Sequence, residues 1–413
     1  MGGQQFGTDT QLIDINGLSR VIELDTKSGM LEVESGIQWP ELIEQLLELQ
    51  KNSPQPWTIA QKQTGADRLT VGGALAANIH SRGLTMQPII SNVESFNLML
   101  ATGESVHCSR HENAELFKLA IGGYGLFGVI TSIKLRLVRR QKLQRRVELS
   151  SVDTLTKRID QAIADGALYG DFQFSIDPKS DDFLQQGILT IYYSVDLKTP
   201  IPQKQKNLGA EKWNQLLLLA HTDKSKAFQF YSEFYLKTDG QFYWSDEHQM
   251  NRYSDDYHLQ IDRQMDSKHP GSEMISEIYV PRHRLAEFMR MASADFRTHE
   301  ADVIYGTIRM IEKDQESDLA WAVQNYACII FNLHVDHTKE GIEKSRAAFR
   351  RLIDMAIRLD GSYYLTYHKW ATKKQLLACY PEFESFMKKK RRHDPGELFQ
   401  SDWYRHYKKL LQP

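Results

Sequence analysis

The stretch from Gln63 to Gly83 constrains the chain more than any other, because it crowds Gly65, Ala66, Gly72, Gly73, Ala74, Ala76, Ala77 and Gly83 into 21 positions. Glycine and alanine remove the side-chain bulk that keeps a flat or multiply charged group away from main-chain N–H donors. Such a surface suits a pyrophosphate or an isoalloxazine ring. The same residues also suit a tight turn into a closely packed helix, and composition does not separate the two readings.

Around this segment the pattern alternates between hairpins and helices. Residues 20–25 and 30–35 alternate apolar and polar about Ser28-Gly29, and Val93–Ala101 with Glu104–Cys108 do so about Thr102-Gly103. Pro40 opens a helix whose stripe is Leu42, Ile43, Leu46, Leu47 and Leu49, and Glu112–Ile121 reads as a helix that stops at Gly122-Gly123. A strand follows from Phe127 to Val138. Beyond the basic stretch Arg139–Arg146 the expected order is strand Val147–Ser150, helix Val152–Asp165, and strands Phe172–Ile176 and Ile188–Val195. After a polar insertion come strand Ile275–Val280, helix Arg284–His299, strands Val303–Ile311 and Ala327–Val335, and helix Lys339–Leu359. Strands in groups with attendant helices predict an α+β protein, in which an antiparallel cap sheet is covered by helices. A chain of 413 residues exceeds one compact core, so two domains are expected, with residues 1–140 and 141–370 as the units and 371–413 returning to the first.

Composition narrows the partners. The net charge of -2 and 41% hydrophobic content describe a folded protein without a polyanionic partner. The runs Arg139–Arg146 and Lys388–Arg392 lack aromatic interleaving for base stacking, so they read as solvated faces and no nucleic acid is expected. Cys108, Cys328 and Cys379 match neither a zinc spacing nor a disulfide framework, which fits a reducing, cytoplasmic setting. No transmembrane run or signal pattern is visible, and no metal site is expected.

Three blocks, in order, carry a resemblance: Gln63–Gly83, then Ile121–Ile130 with its Gly122-Gly123-Tyr124-Gly125 core, then Asp394–Trp403. Together they resemble the FAD-linked oxidases of the vanillyl-alcohol oxidase type, near the aldonolactone and alditol oxidases and decaprenylphosphoryl-ribose oxidase. The resemblance covers most of residues 1–140 and the C-terminal third. It implies a two-domain flavoprotein with a PCMH-type FAD-binding domain and FAD as cofactor. It implies further that Gly65, Thr70, Val71, Gly72, Gly73, Ala77, Asn78, Ile79 and His80 line the FAD, and that Ile130 meets the adenine end through its backbone. Ser81 departs from the glycine usual after the histidine. In that family a loop similar to Gly2-Gly3-Gln4-Gln5-Phe6 cradles the pyrophosphate and follows a β-α-β unit, so an N-terminally incomplete domain is expected here. The loop histidine that holds covalent FAD in some members corresponds to a position before Met1, which leaves covalent and non-covalent attachment both open.

The implied activity is oxidation of a CH–OH group of a sugar, sugar-acid lactone or polyol, with oxygen or another electron acceptor. A flavin-deficient relative used as a binding or scaffolding module, and one half of a two-protein sugar-epimerising system, are the alternatives. Alcohol oxidation needs a group that takes the hydroxyl proton while hydride leaves. Alternation puts Asn332 and His334 on one strand face and Thr307 and Arg309 on one face. Arg309 matches a Glu-x-Arg pattern of alditol and lactone oxidases in which Thr307 replaces the acid. Tyr364 matches a family position beside the flavin, and Tyr367, His368 and Lys369 compete for a lysine that relatives place just beyond it. His368 is the expected proton acceptor on its unperturbed pKa, and Lys369 the group that holds an oxygen. Tyr253, Tyr257 and His258 lie in the polar insertion within reach of a substrate mouth.

Overall fold

The computed structural model describes residues 4–250 and 257–412, so Gly2, Gly3 and Tyr253 lie outside the described residues. Two antiparallel sheets organise it. The first has five strands in the order Val21–Asp25, Met30–Glu34, Val129–Arg136, Val93–Met99, Ser105–Ser109. Gly29 closes its first hairpin at φ +74°, where a Cβ would also sit 2.6 Å from the Trp57 ring. Leu31, Val33, Phe96 and Ile133 from the strands are buried together with Leu42, Leu46, Leu75 and Phe117 from the helices Trp39–Leu49, Val71–Ala76 and Ala114–Ala120. The rings of Phe96 and Phe117 stack 5.6 Å apart.

The second sheet has eight strands in the order Phe242–Trp244, Lys142–Ser151, Gln186–Val195, Ala167–Phe174, Val303–Ile311, Tyr326–Asp336, Gly271–Pro281, Ser362–Tyr363. One face is apolar and carries the helices Val152–Ala164, Leu285–Thr298 and Lys339–Arg358. Their amphipathic stripes bury Leu155, Ile159, Phe288, Phe296, Phe349 and Leu352, and Phe296 meets the Phe331 ring at 5.2 Å. The other face is polar. Register explains this: Glu273 pairs with His334; Ile275 pairs with Asn332, which pairs in turn with Tyr305; and Glu277 pairs with Ile330, which pairs in turn with Thr307, so alternate residues of three strands project together.

The two sheets are joined closely. The backbone of residues 82–84 runs beside strand Ala167–Phe174, with Gly170 N donating to Arg82 O at 2.9 Å and Leu84 N to Leu168 O at 3.0 Å. The C-terminal helices Phe383–His393 and Asp402–Leu410 pack on the second glycine block, where Trp403 lies 4.5 Å from Tyr124 and Phe386 lies 5.2 Å from Phe127. Among the described residues no helix is long and apolar enough to cross a membrane.

Three sequence expectations need correction here. The polar insertion contains the helices Ala210–Thr222 and Lys224–Leu236, whose Leu216, Leu217, Phe228 and Tyr231 face the interior cavity and were hidden by weak amphipathic patterning. The basic stretch 139–146 is a solvated face only at Arg139 and Arg146. Arg140 is buried on Asp246 at 2.7 Å, and Arg145 donates to the Tyr192 hydroxyl at 2.6 Å from inside strand Lys142–Ser151. In the second run, Lys390 is fully buried and ion-paired with Asp394, while Lys389 and Arg392 pair with Asp318 and Glu115.

Candidate active site

Between the polar face of the large sheet and the segment after residue 62 lies a cavity of about 1260 Å³. Its floor is Gln63–Leu69 with Ile79 and His80, and its opposite wall holds Thr307, Arg309, Asn332, Tyr364 and Tyr367. Lys62 fixes the floor. Its ammonium is fully buried, 2.6 Å from Asp67, 2.8 Å from the Gln63 carbonyl and 3.1 Å from the Gln249 carbonyl, and burial holds its pKa below the ordinary lysine value.

The glycine segment divides in two. Gly65, at φ +85° with open space where a Cβ would be, faces the cavity, and the buried Thr64 hydroxyl beside it lacks a hydrogen-bond partner. Thr70, Val71, Gly72 and Gly73 instead serve the fold. Val71 N donates to Ile37 O, Gly72 N to Ser35 O and Gly73 N to the Thr70 hydroxyl, so none of these amides is left for a phosphate. A Cβ on Gly72 would lie 2.9 Å from the Ser35 side chain, which shows close packing as its purpose. Ala77 presents its carbonyl to the Tyr364 hydroxyl at 2.5 Å. Asn78, in the left-handed region at φ +46°, bonds Asp314 at 2.9 Å and so aims Ile79 and His80 at the cavity. Ile130 sits buried in the five-stranded sheet opposite Leu98, away from the cavity wall.

His80 leads to a group that sequence reasoning missed. Its Nδ1 faces the Ser81 carbonyl at 3.1 Å and its Nε2 faces Glu277 at 2.7 Å. Glu277 is 2% exposed and also accepts from the Tyr279 hydroxyl at 2.5 Å, the Cys328 thiol at 3.3 Å and the Tyr367 hydroxyl. Burial pushes this carboxyl up, but the charge and hydrogen bonds of His80 and the Tyr279 hydroxyl outweigh it and hold the pKa below the ordinary value. Burial lifts the Tyr367 hydroxyl well above the ordinary tyrosine range, which keeps it a donor to Glu277. The available signal was an acid inside the apolar run Ile275–Val280, since a buried carboxylate has to be paired.

The candidates in the segment 364–369 separate. Tyr364 and Tyr367 line the cavity. His368 does not: its ring stacks on Phe349 at 4.7 Å and 1° and lies between Trp370 and Tyr363, and burial lowers its pKa to about 4. Lys369 is exposed and also away from the cavity. The expected roles of both are therefore corrected. The strand ends at Tyr363, so strand alternation does not govern which way 364–369 point. His334 likewise leaves the cavity wall and turns to Glu273 at 3.5 Å, together with His258 at 2.7 Å and Tyr257. Among the buried polar atoms around the cavity without a hydrogen-bond partner are Thr307 Oγ1, Arg309 Nε, Asn332 Oδ1 and Gln173 Oε1.

These features fit a flavin at the floor. The open Gly65 backbone, the unpartnered Thr64 hydroxyl and the size of the cavity leave room for a ring system and a small molecule beside it. The comparisons agree. Residues 1–109 match the FAD binding domain family. Cytokinin dehydrogenase 3 of Oryza sativa subsp. japonica is 32% identical over 166 residues, covering 39% of this chain and 30% of the relative. L-gulono-1,4-lactone dehydrogenase of Mycobacterium tuberculosis is 27% identical over 202 residues, covering 49% and 44%, and L-gulonolactone oxidase of Bos taurus 29% over 154 residues, covering 37% and 33%. The chain spans less than half the length of these curated relatives. Over residues 1–109 the chain is thus similar to an FAD binding domain, and the relatives it matches are dehydrogenases and an oxidase.

Proposed function

We propose that the protein is an FAD-dependent oxidoreductase that oxidises a CH–OH group of a sugar, sugar-acid lactone or polyol in this cavity. The observation that carries the reading is the set of unpartnered buried atoms on Thr307, Arg309, Asn332 and Gln173, because such atoms cost free energy unless a ligand rich in hydroxyl or carbonyl oxygens satisfies them. FAD supplies the hydride acceptor when bound. Arg309 and Asn332 hold substrate oxygens. Tyr367 receives the hydrogen bond of the reacting hydroxyl and passes its own proton toward Glu277, which His80 keeps in place. Gln63–Leu69 position the ring, with Lys62 beneath them.

The test is anaerobic mixing of the flavin-loaded protein with L-gulono-1,4-lactone, other sugar lactones and alditols, following loss of the flavin absorbance. Bleaching by one of them, slowed roughly 100-fold in Tyr367→Phe with FAD still bound, is the expected result. A flavin that no such compound reduces would exclude this substrate class, and an unchanged rate in Tyr367→Phe would remove the proton relay.

A further inference from the structure

At the rim of the cavity, three histidines converge on one carboxylate. Glu273 stands on strand Gly271–Pro281, His334 faces it from the neighbouring strand, His221 comes from the last turn of helix Ala210–Thr222, and His258 from helix Tyr257–Gln264. The side chains of His221 and Glu273 are 2% and 4% exposed. Elements far apart in sequence have thus been folded to bring imidazoles to a dry carboxylate that lines the cavity.

The spacings are of two kinds. His258 Nδ1 lies 2.7 Å from Glu273 Oε2, and the Tyr257 hydroxyl meets the same oxygen; both are hydrogen-bond contacts. The other oxygen is approached differently. His221 Nε2 is 3.2 Å and His334 Nδ1 3.5 Å from Oε1, and His221 Nε2 has no partner of hydrogen-bond geometry despite its burial. The three atoms lie within 4.8 Å of one another, with the two rings perpendicular and 5.2 Å apart. Nitrogen and oxygen ligands about 2.05 Å from a tetrahedral ion are separated by roughly 3.3 Å, which is the spacing seen at Oε1 rather than that of a charge-assisted hydrogen bond.

We propose that His221 Nε2, His334 Nδ1 and Glu273 Oε1 bind one divalent first-row transition ion of the zinc class, with the fourth position on the cavity side. Two imidazoles and a carboxylate are a ligand set for such an ion, and the remaining position accepts water or a ligand oxygen. The surroundings complete the site. His258 and Tyr257 hold the carboxylate oxygen that does not bind the metal, and Asp336 stands 3.6 Å from His334 Nε2, where it orients the ring.

The proposal is tested with Co²⁺, whose visible absorption reports four-coordinate binding, on the untagged, EDTA-treated full chain. One equivalent is expected to give the band and Zn²⁺ to abolish it. Glu273→Gln, which keeps the side-chain shape, and His334→Ala are each expected to lose the band while retaining the wild-type far-ultraviolet circular dichroism. His258→Ala should weaken Co²⁺ binding roughly 10–100-fold as an outer partner, and the exposed His299→Ala should leave it unchanged. Wild-type protein without the band, or a band of full strength in both Glu273→Gln and His334→Ala, overturns the site. Neither result bears on the flavin chemistry, which uses other residues.

Discussion

Replacing Glu277 by glutamine probes the junction between the two sheets, because this carboxylate on the large sheet accepts from His80 of the glycine-rich segment. The variant keeps the shape but turns an acceptor-only group into one that is half donor, against surrounding donors at 2.7 Å from His80, 2.5 Å from Tyr279 and 3.3 Å from Cys328. A hydrogen bond to a charged group contributes about 1.5–3 kcal/mol, and breaking a buried pair costs about 3–5 kcal/mol, so about 3 kcal/mol of destabilisation is expected at neutral pH. With an unfolding entropy near 2.1 cal/mol/K per residue, roughly 0.9 kcal/mol/K over 413 residues, this lowers the thermal midpoint by about 3–4 °C. The pH dependence has a definite sign. The folded-state pKa of Glu277 lies below its ordinary 4.5, so its contribution is complete above that value and is lost as pH falls through the folded pKa. Differential scanning calorimetry of wild type and Glu277→Gln should therefore show a constant gap from pH 7 to about 5, closing by up to about 1.4 kcal/mol for each further pH unit. A gap under about 1 °C at pH 7, or one that persists undiminished at pH 3.5, would refute the ionised, paired carboxylate.

Two further outcomes follow from the geometry. His368→Phe should leave flavin reduction unchanged. It should also gain stability relative to wild type by about 2 kcal/mol between pH 7.5 and pH 5, because the folded ring, its pKa lowered from 6.5 to about 4, stays neutral in this window while the unfolded chain is stabilised by taking up a proton; a pH-independent difference, read from denaturant midpoints, would contradict its burial as a neutral ring. Gly65→Ile should fold, since nothing lies within 4 Å of the added Cβ, yet a β-branched residue at φ +85° carries about 1–3 kcal/mol of strain at the cavity floor. The flavin-to-protein absorbance ratio under limiting FAD should fall by about 10-fold, and an unchanged ratio would place the cofactor elsewhere.

The hairpins at Gly29 and Gly103 and the long helices were legible because their signals are local: a turn residue between alternating strands, an apolar stripe of helical period. The basic runs were misread because most of their partners are distant in sequence, Arg140 meeting Asp246, Lys389 meeting Asp318 and Arg392 meeting Glu115. At the site, strand alternation correctly grouped Thr307 with Arg309 at the cavity wall. It failed at His368, where the strand has already ended and only packing on Phe349 decides the direction. His334 was grouped with Asn332 on the right face, but the attraction of Glu273 draws its ring away from the wall. Glu277 carried no motif, and its importance appears only when His80 and Tyr367 are brought beside it.

The buried ammonium of Lys62 makes the cavity unequally easy to open. It is held by oxygens from Gln63 and Asp67 on the floor and from Gln249 at the far side, and pulling these apart would strand a cation without water. On another side, the paired helices Ala210–Thr222 and Lys224–Leu236 bury only Ala220 and Ala227 fully, and they meet the large sheet through His221 on Glu273 and Lys224 on Asp302. The floor and its lysine therefore stay put as the fixed jaw of the cavity.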